Sequence, residues 1–276
     1  MQPAPPIDVI DLFPDERALL IELLASLSDD EWAAPTICAP WSVKDLAGHI
    51  IGDDLGGLPW QRDEHSAEAA DPGSWDELIA FINRQNAQWV DAMRRISPAV
   101  IVEMLRFSGE QFAAHMRALD LAATGPTVDW AGPGPHPTWL HVAREYTECW
   151  SHQQQIRDAV GRLGLKDRRF FAPLLDAYMR GVPHAFRDVA SPEGTHVRIE
   201  ITGDAGGVWS LVRADGRLAL YTGVDTPPDA TASLEQETAW RLFTKGVTPD
   251  EARQRAVLSG DVALAAQVLR TVSVLA

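Results

Sequence analysis

The chain has 276 residues, 46% hydrophobic and 23% charged, with 24 Lys and Arg against 39 Asp and Glu and a formal charge of −15. That balance lacks the basic footprint of a nucleic-acid binder and suits an anionic membrane surface poorly. Two Cys exclude a disulfide scaffold, and the opening MQPAPPIDVIDLF has no basic n-region and no long apolar stretch. A reduced, cytoplasmic protein is expected, monomeric or homodimeric, with neither nucleic acid nor membrane as partner.

The first 188 residues read as helices. Arg17–Leu27 carries Leu20, Leu23, Leu24 and Leu27 on one stripe, after Pro14, Asp15 and Glu16, which suit a first turn. Ser42-Val43-Lys44-Asp45 resembles a capping box and predicts a second helix, stopped by Gly56-Gly57. An acidic loop over Leu58–Gly73 is expected next. Trp75–Ile96 and Ala99–Leu119 are the third and fourth helices, separated at Ser97-Pro98. Residues 120–137, rich in Gly and Pro, are irregular. Thr138–Leu163 and Phe170–Phe186 complete an expected up-and-down bundle.

From Thr195 the period changes to two. His196–Ile201 alternates cleanly, and Val208–Val212 and Leu218–Tyr221 are joined through Asp215-Gly216, a hairpin signal. Ala230–Leu234 and Ala256–Leu258 are further strand candidates, with helices at Thr238–Lys245 and Val262–Leu275. The expected fold class is therefore α plus α+β. A helical bundle spans residues 1–190, and a small α+β domain spans 191–276.

Eight His invite a search for metal spacing. Glu148 and His152 lie four apart on the fifth helix, about 40° apart around its axis, so both can reach one ion. They border the apolar stripe of Val142, Tyr146, Cys149, Ile156 and Val160. His141 and Glu145 continue their line. The spacing alone equally fits a solvated polar face or a hydrogen-bonded pair. His49 is the second candidate, mid-helix among apolar residues and glycines, with Asp53 one turn on. It too reads as either a ligand or a satisfied core histidine. Gly48 suggests a close approach of another element. Trp41, Trp60 and Trp130 are candidates to line a pocket. Cys149 reads as a buried structural thiol.

Two stretches resemble a known family. Leu27-Ser-Asp-Asp-Glu31-Trp32-Ala-Ala-Pro35-Thr36, followed by Cys38-Ala-Pro40-Trp41-Ser42-Val43-Lys44-Asp45-Leu46-Ala47-Gly48-His49-Ile50, resembles the opening of the mycothiol-dependent maleylpyruvate isomerase family, of the DinB-like superfamily of metal-binding helical bundles. Arg144-Glu145 to Glu148-Cys-Trp150-Ser-His152 and the residues after it, through Gly161, resemble its second signature. Leu258-Ser259-Gly260-Asp261 resembles the appended sterol-carrier-like domain. By position, the resemblance implies a metal triad of His49, Glu148 and His152. Gln153-Gln154-Gln155 departs from relatives that often carry Gly or Arg and then Gln-Asp. The family's basic residue in the C-terminal domain falls among Arg241, Lys245, Arg253 and Arg255.

Two His and one carboxylate form the ligand set of an open catalytic zinc site. The resemblance therefore implies a divalent metal, Zn2+ first, with mycothiol or a similar thiol as co-substrate. A thiolate attacking an electrophilic small molecule gives either an S-transferase or a cis-trans isomerase. The alternative is a non-enzymatic module that binds a metal and a small ligand.

Overall fold

The computed structural model describes residues 1–65 and 74–274. In chain order its elements are β1 (Gln2–Pro3), α1 (Leu12–Ala25), α2 (Asp29–Ala33), α3 (Val43–Arg62), α4 (Trp75–Met93) and α5 (Pro98–Ala118). Then come β2 (Thr124–Gly125), β3 (His136–Pro137), α6 (Thr138–Ala159), α7 (Arg168–Met179) and α8 (Val182–Ala185). The remainder is β4 (His196–Thr202), β5 (Gly207–Ala214), β6 (Arg217–Thr222), β7 (Ala230–Glu235), α9 (Gln236–Phe243), α10 (Pro249–Arg255), β8 (Val257–Gly260) and α11 (Val262–Ala266). No helix among the described residues is long and apolar enough to cross a membrane.

Helix gives way to strand close to residue 190, yet the compact units interleave instead of dividing there. One unit gathers Met1–Asp8, Leu121–Arg144 and Lys166–Leu275; the other gathers Val9–Asp120 and Glu145–Leu165. The first holds a six-stranded sheet in the order β1-β6-β5-β4-β7-β8. Neighbours are antiparallel except β4 and β7. The β5–β6 hairpin turns on Asp215 and Gly216, both at positive φ, as its two-residue loop requires. The N-terminal Gln2–Pro3 adds an edge strand that periodicity could not reveal, because two residues show no period.

Within the helical unit, α3 buries Leu46, Ala47, Ile50 and Ile51 against Leu20 and Leu24 of α1 and Ile101 and Leu105 of α5. Ser42 and Asp45 form the expected capping box at its start. Gly56-Gly57 does not stop it. The helix runs through both glycines and Pro59 to Arg62 and buries Leu58 on the way. That burial offsets part of a glycine cost of about 1 kcal/mol per residue. Of the expected acidic loop, Leu58–Arg62 is therefore helix, and residues 66–73 lie outside the described residues.

Other boundaries also moved. The expected helix at 138–163 ends at Ala159, because Gly161 turns the chain at φ 65°. The expected helix at 170–186 is broken into α7 and α8 around Gly181, where a Cβ would stand 2.8 Å from Ser273 Oγ. The expected C-terminal helix stops at Ala266, and a 3-10 turn over Gln267–Arg270 follows. The buried Ser273 beyond it bonds the Phe243 and Tyr178 carbonyls instead of its own helix. The short α2 and α10 open on full capping boxes, Ser28 with Glu31 and Thr248 with Glu251.

A charged network lies inside the helical unit. Arg17 of α1 forks onto both oxygens of Asp54 of α3, with Nη2 3.0 Å from Oδ1. The same guanidinium donates to the Leu105 carbonyl at 3.1 Å, and Ser108 of α5 donates to Asp54 at 2.6 Å. Gly109 leaves room for this, since a Cβ there would meet Arg17 Cγ at 2.7 Å. Breaking a buried pair strands a charge, so Asp54→Ala should cost about 3–5 kcal/mol of unfolding free energy in denaturant melts. Next door, burial pushes the Glu16 carboxyl up from its ordinary 4.5 to about 7, with Arg17 opposing and Asp54 reinforcing the shift. Arg157 also faces it and opposes the shift. Folding then takes up a proton between these values. That contribution is full below about pH 4.5 and is lost as pH rises through 7. Glu16→Gln should accordingly raise the melting temperature more at pH 8 than at pH 5. An equal gain at both values would refute the assignment.

Candidate metal centre

The site is built from two helices of the helical unit. Helix α3 puts His49 and Asp53 one turn apart, with Nε2 3.2 Å from Oδ2. Helix α6 puts Glu148 and His152 one turn apart, with Nε2 3.8 Å from Oε2. The two imidazoles meet edge to face, their centroids 4.8 Å apart at 78°. Ligand atoms of His49, Asp53 and His152 all lie within 4.8 Å of one another. So the structure joins the two sequence-predicted histidines, adds Asp53, and sets Glu148 beside His152 at the rim of that group.

Close packing holds His49 in place. Gly48 admits α4: a Cβ there would stand 3.0 Å from Met93 Cβ, the close approach that the glycine suggested. Trp89 donates its indole N–H to the Gly48 carbonyl at 2.8 Å. Trp41 lies against the His49 ring, centroids 4.8 Å apart. Trp130 belongs to the other unit, and Trp60 is half exposed on α3.

Electrostatics favour ligation. Burial, then the neighbouring His152, pushes His49 from 6.5 down to about 3, so its imidazole is neutral at physiological pH and keeps a lone pair. Burial, then Glu148, pushes the Cys38 thiol up to about 11. Burial raises the Cys149 thiol well above its usual range, in keeping with a structural thiol. Neither cysteine offers a thiolate at neutral pH. The donor set of two imidazoles and nearby carboxylates fits a borderline or hard divalent ion.

The basic candidates belong to the sheet-containing unit. Arg241 on α9 stacks over Trp240 at 4.7 Å and pairs with Glu237 at 3.9 Å. Lys245 follows that helix at φ 62°, and Arg253 and Arg255 are exposed on α10. From sequence, Asp53 reads as either holding the second ring nitrogen of His49 or staying solvated. Its i,i+4 spacing to His49 repeats that of Glu148 and His152 and was the available signal.

The family model for the mycothiol maleylpyruvate isomerase N-terminal domain matches residues 13–157. Two uncharacterized proteins of Mycobacterium tuberculosis, from strains CDC 1551 / Oshkosh and H37Rv, are each 24% identical over 206 residues. Those residues cover 70% of this chain and 72% of each relative. The crystal structure of the mycothiol-dependent maleylpyruvate isomerase shares the fold at a TM-score of 0.54 and 10% identity, over 92% of both chains.

The His49 shift has a measurable sign. Its folded value lies below the unfolded one, so the unfolded chain binds the proton first. The stability it contributes is present above about pH 6.5 and is lost as pH falls toward 3. In the metal-free protein the His49 ring resonances should stay constant from pH 8 to pH 5. Titration of that ring near 6.5 would show that it is not buried as described.

Proposed function

The chain belongs to the family of the mycothiol maleylpyruvate isomerase N-terminal domain, and on that premise we propose a metal-dependent enzyme. It uses a low-molecular-weight thiol of the mycothiol type against an electrophilic small molecule. The observation that carries this reading is the convergence of the His49 and His152 rings beside Asp53 and Glu148. His49 and His152 would hold the ion, with Asp53 or Glu148 as the carboxylate ligand. A divalent ion held there supplies Lewis acidity, which keeps a bound thiol deprotonated at neutral pH.

The chain's own residues do the rest. His49 stays neutral at working pH, so no proton competes with it for ligation. Trp41 packs against one side of the His49 ring. Cys38 and Cys149 stay protonated and do not compete as nucleophiles. In an isomerase the thiolate sulfur bonds to one carbon of a conjugated double bond, and the π electrons move to the carbonyl oxygen. Rotation about the resulting single bond follows. Collapse of the enolate restores the double bond and expels the thiolate. In an S-transferase the enolate carbon instead takes a proton and the adduct is the product. A cation for an anionic substrate is assigned to the set Arg241, Lys245, Arg253 and Arg255, at most one of which is expected to matter.

Elemental analysis of the whole chain should find one divalent ion per protein. Turnover of maleylpyruvate, or of a thiol-reactive test electrophile, should require mycothiol. It should fall at least about a hundredfold in His49→Ala and His152→Ala, which lose the ion. Asp53→Asn and Glu148→Gln, compared for ion retention, identify the carboxylate ligand. Alanine variants of the four basic residues should raise KM at one position at most. Stoichiometric ion without thiol-dependent turnover of any electrophile would establish the non-enzymatic binding module instead.

A further inference from the structure

Three consecutive glutamines follow His152, and they do different things. Gln153 donates to the Glu16 carbonyl at 3.1 Å, and Gln154 donates to Asp158 at 2.8 Å. Gln155 alone of the three turns to the candidate centre. Its Oε1 lies 2.8 Å from His152 Nδ1. Cys38, on the loop before α3, donates its S–H to that same oxygen at 3.2 Å.

The chemistry of that oxygen decides the state of the histidine. A carboxamide oxygen only accepts, and one that already takes the Cys38 proton keeps acceptor capacity for a second donor. The imidazole nitrogen facing it must then carry the hydrogen. His152 is thereby the Nδ1–H tautomer, and Nε2 is its lone-pair atom. Nε2 is also the atom on the Glu148 side.

We infer that Gln155 is a positioning residue: held by Cys38, its amide oxygen fixes the tautomer and ring angle of His152 so that Nε2 is presented as ligand. For its purpose this rests on the proposed divalent-ion site; as a statement about tautomer it stands on the hydrogen bonds. Outer partners of this kind orient a ligating imidazole and raise its basicity, and their loss typically weakens metal binding about 10–100-fold.

The test uses the full chain with 15N-labelled histidine. In the metal-free protein at pH 8, two-bond 1H–15N correlations should show His152 as the Nδ1–H tautomer, and Gln155→Leu should admit the Nε2–H form. In chelator competition, Gln155→Leu should weaken zinc about 10–100-fold with the metal-free melting temperature unchanged. Gln155→Glu, which keeps the acceptor, should return affinity to within a few-fold of wild type. If Gln155→Leu does not fold, the wild-type tautomer and Gln155→Glu still decide the matter. An Nε2–H tautomer in the wild-type chain overturns the inference. So does undiminished zinc affinity in Gln155→Leu when the wild-type chain binds zinc. A wild-type chain that takes up no zinc yet shows Nδ1–H overturns the proposed function and leaves the tautomer lock standing.

Discussion

The fork of Arg17 on Asp54 fixes helix α3, and the candidate centre depends on where α3 stands. The pair is buried and shares its oxygens with Ser108, so α1, α3 and α5 are tied at one level. Buried charges demand this geometry, because any slide of α3 would leave a guanidinium or a carboxylate unpaired in the interior. Successive residues on a helix are about 100° apart. Fixing Asp54 inward therefore swings Asp53 toward the His49 side. Ligand placement follows from a structural ion pair one residue away.

On α3 and on α6 the candidate ligand pairs come from the same device, a His and a carboxylate one turn apart. What separates a metal centre from a surface pair is burial. His49 sits behind Trp41 and against α4, and desolvation denies it a proton even with Asp53 at 3.2 Å. An exposed His beside an Asp would move the other way. The neutral ring keeps its lone pair, and the nearby carboxylates carry charge to meet a cation.

Much of this was legible in the sequence, for identifiable reasons. The capping box at Ser42, the helical stripes and the Asp215-Gly216 hairpin are local signals, and local chemistry decided those elements. The run of α3 through Gly56-Gly57 was illegible because Leu58 finds its burial in tertiary contacts. The break before α8 had a local signal in Pro183, whereas the early end of α11 goes with Ser273, whose partners Tyr178 and Phe243 are distant in sequence. His49, Glu148 and His152 were singled out by spacing and by family resemblance. Gln155 was noticed only as a departure, because its role needs Cys38, 117 residues away.

The two cysteines explain why such a centre suits a borrowed nucleophile. Cys149 is buried in the helical unit, where burial and the charges of Glu16 and Asp54 oppose a thiolate. Cys38 lies next to the site, but burial and Glu148 keep its proton on, and that proton goes to Gln155. Burial is the larger cause at both thiols, and at Cys38 the candidate carboxylate Glu148 adds to it. A thiolate formed here needs the charge of an ion to offset burial and Glu148, and a small thiol arriving with the ion in place meets that condition where Cys38 does not. Burial thus leaves the chain without a ready nucleophile of its own, and the proposed enzyme takes its sulfur from a small thiol.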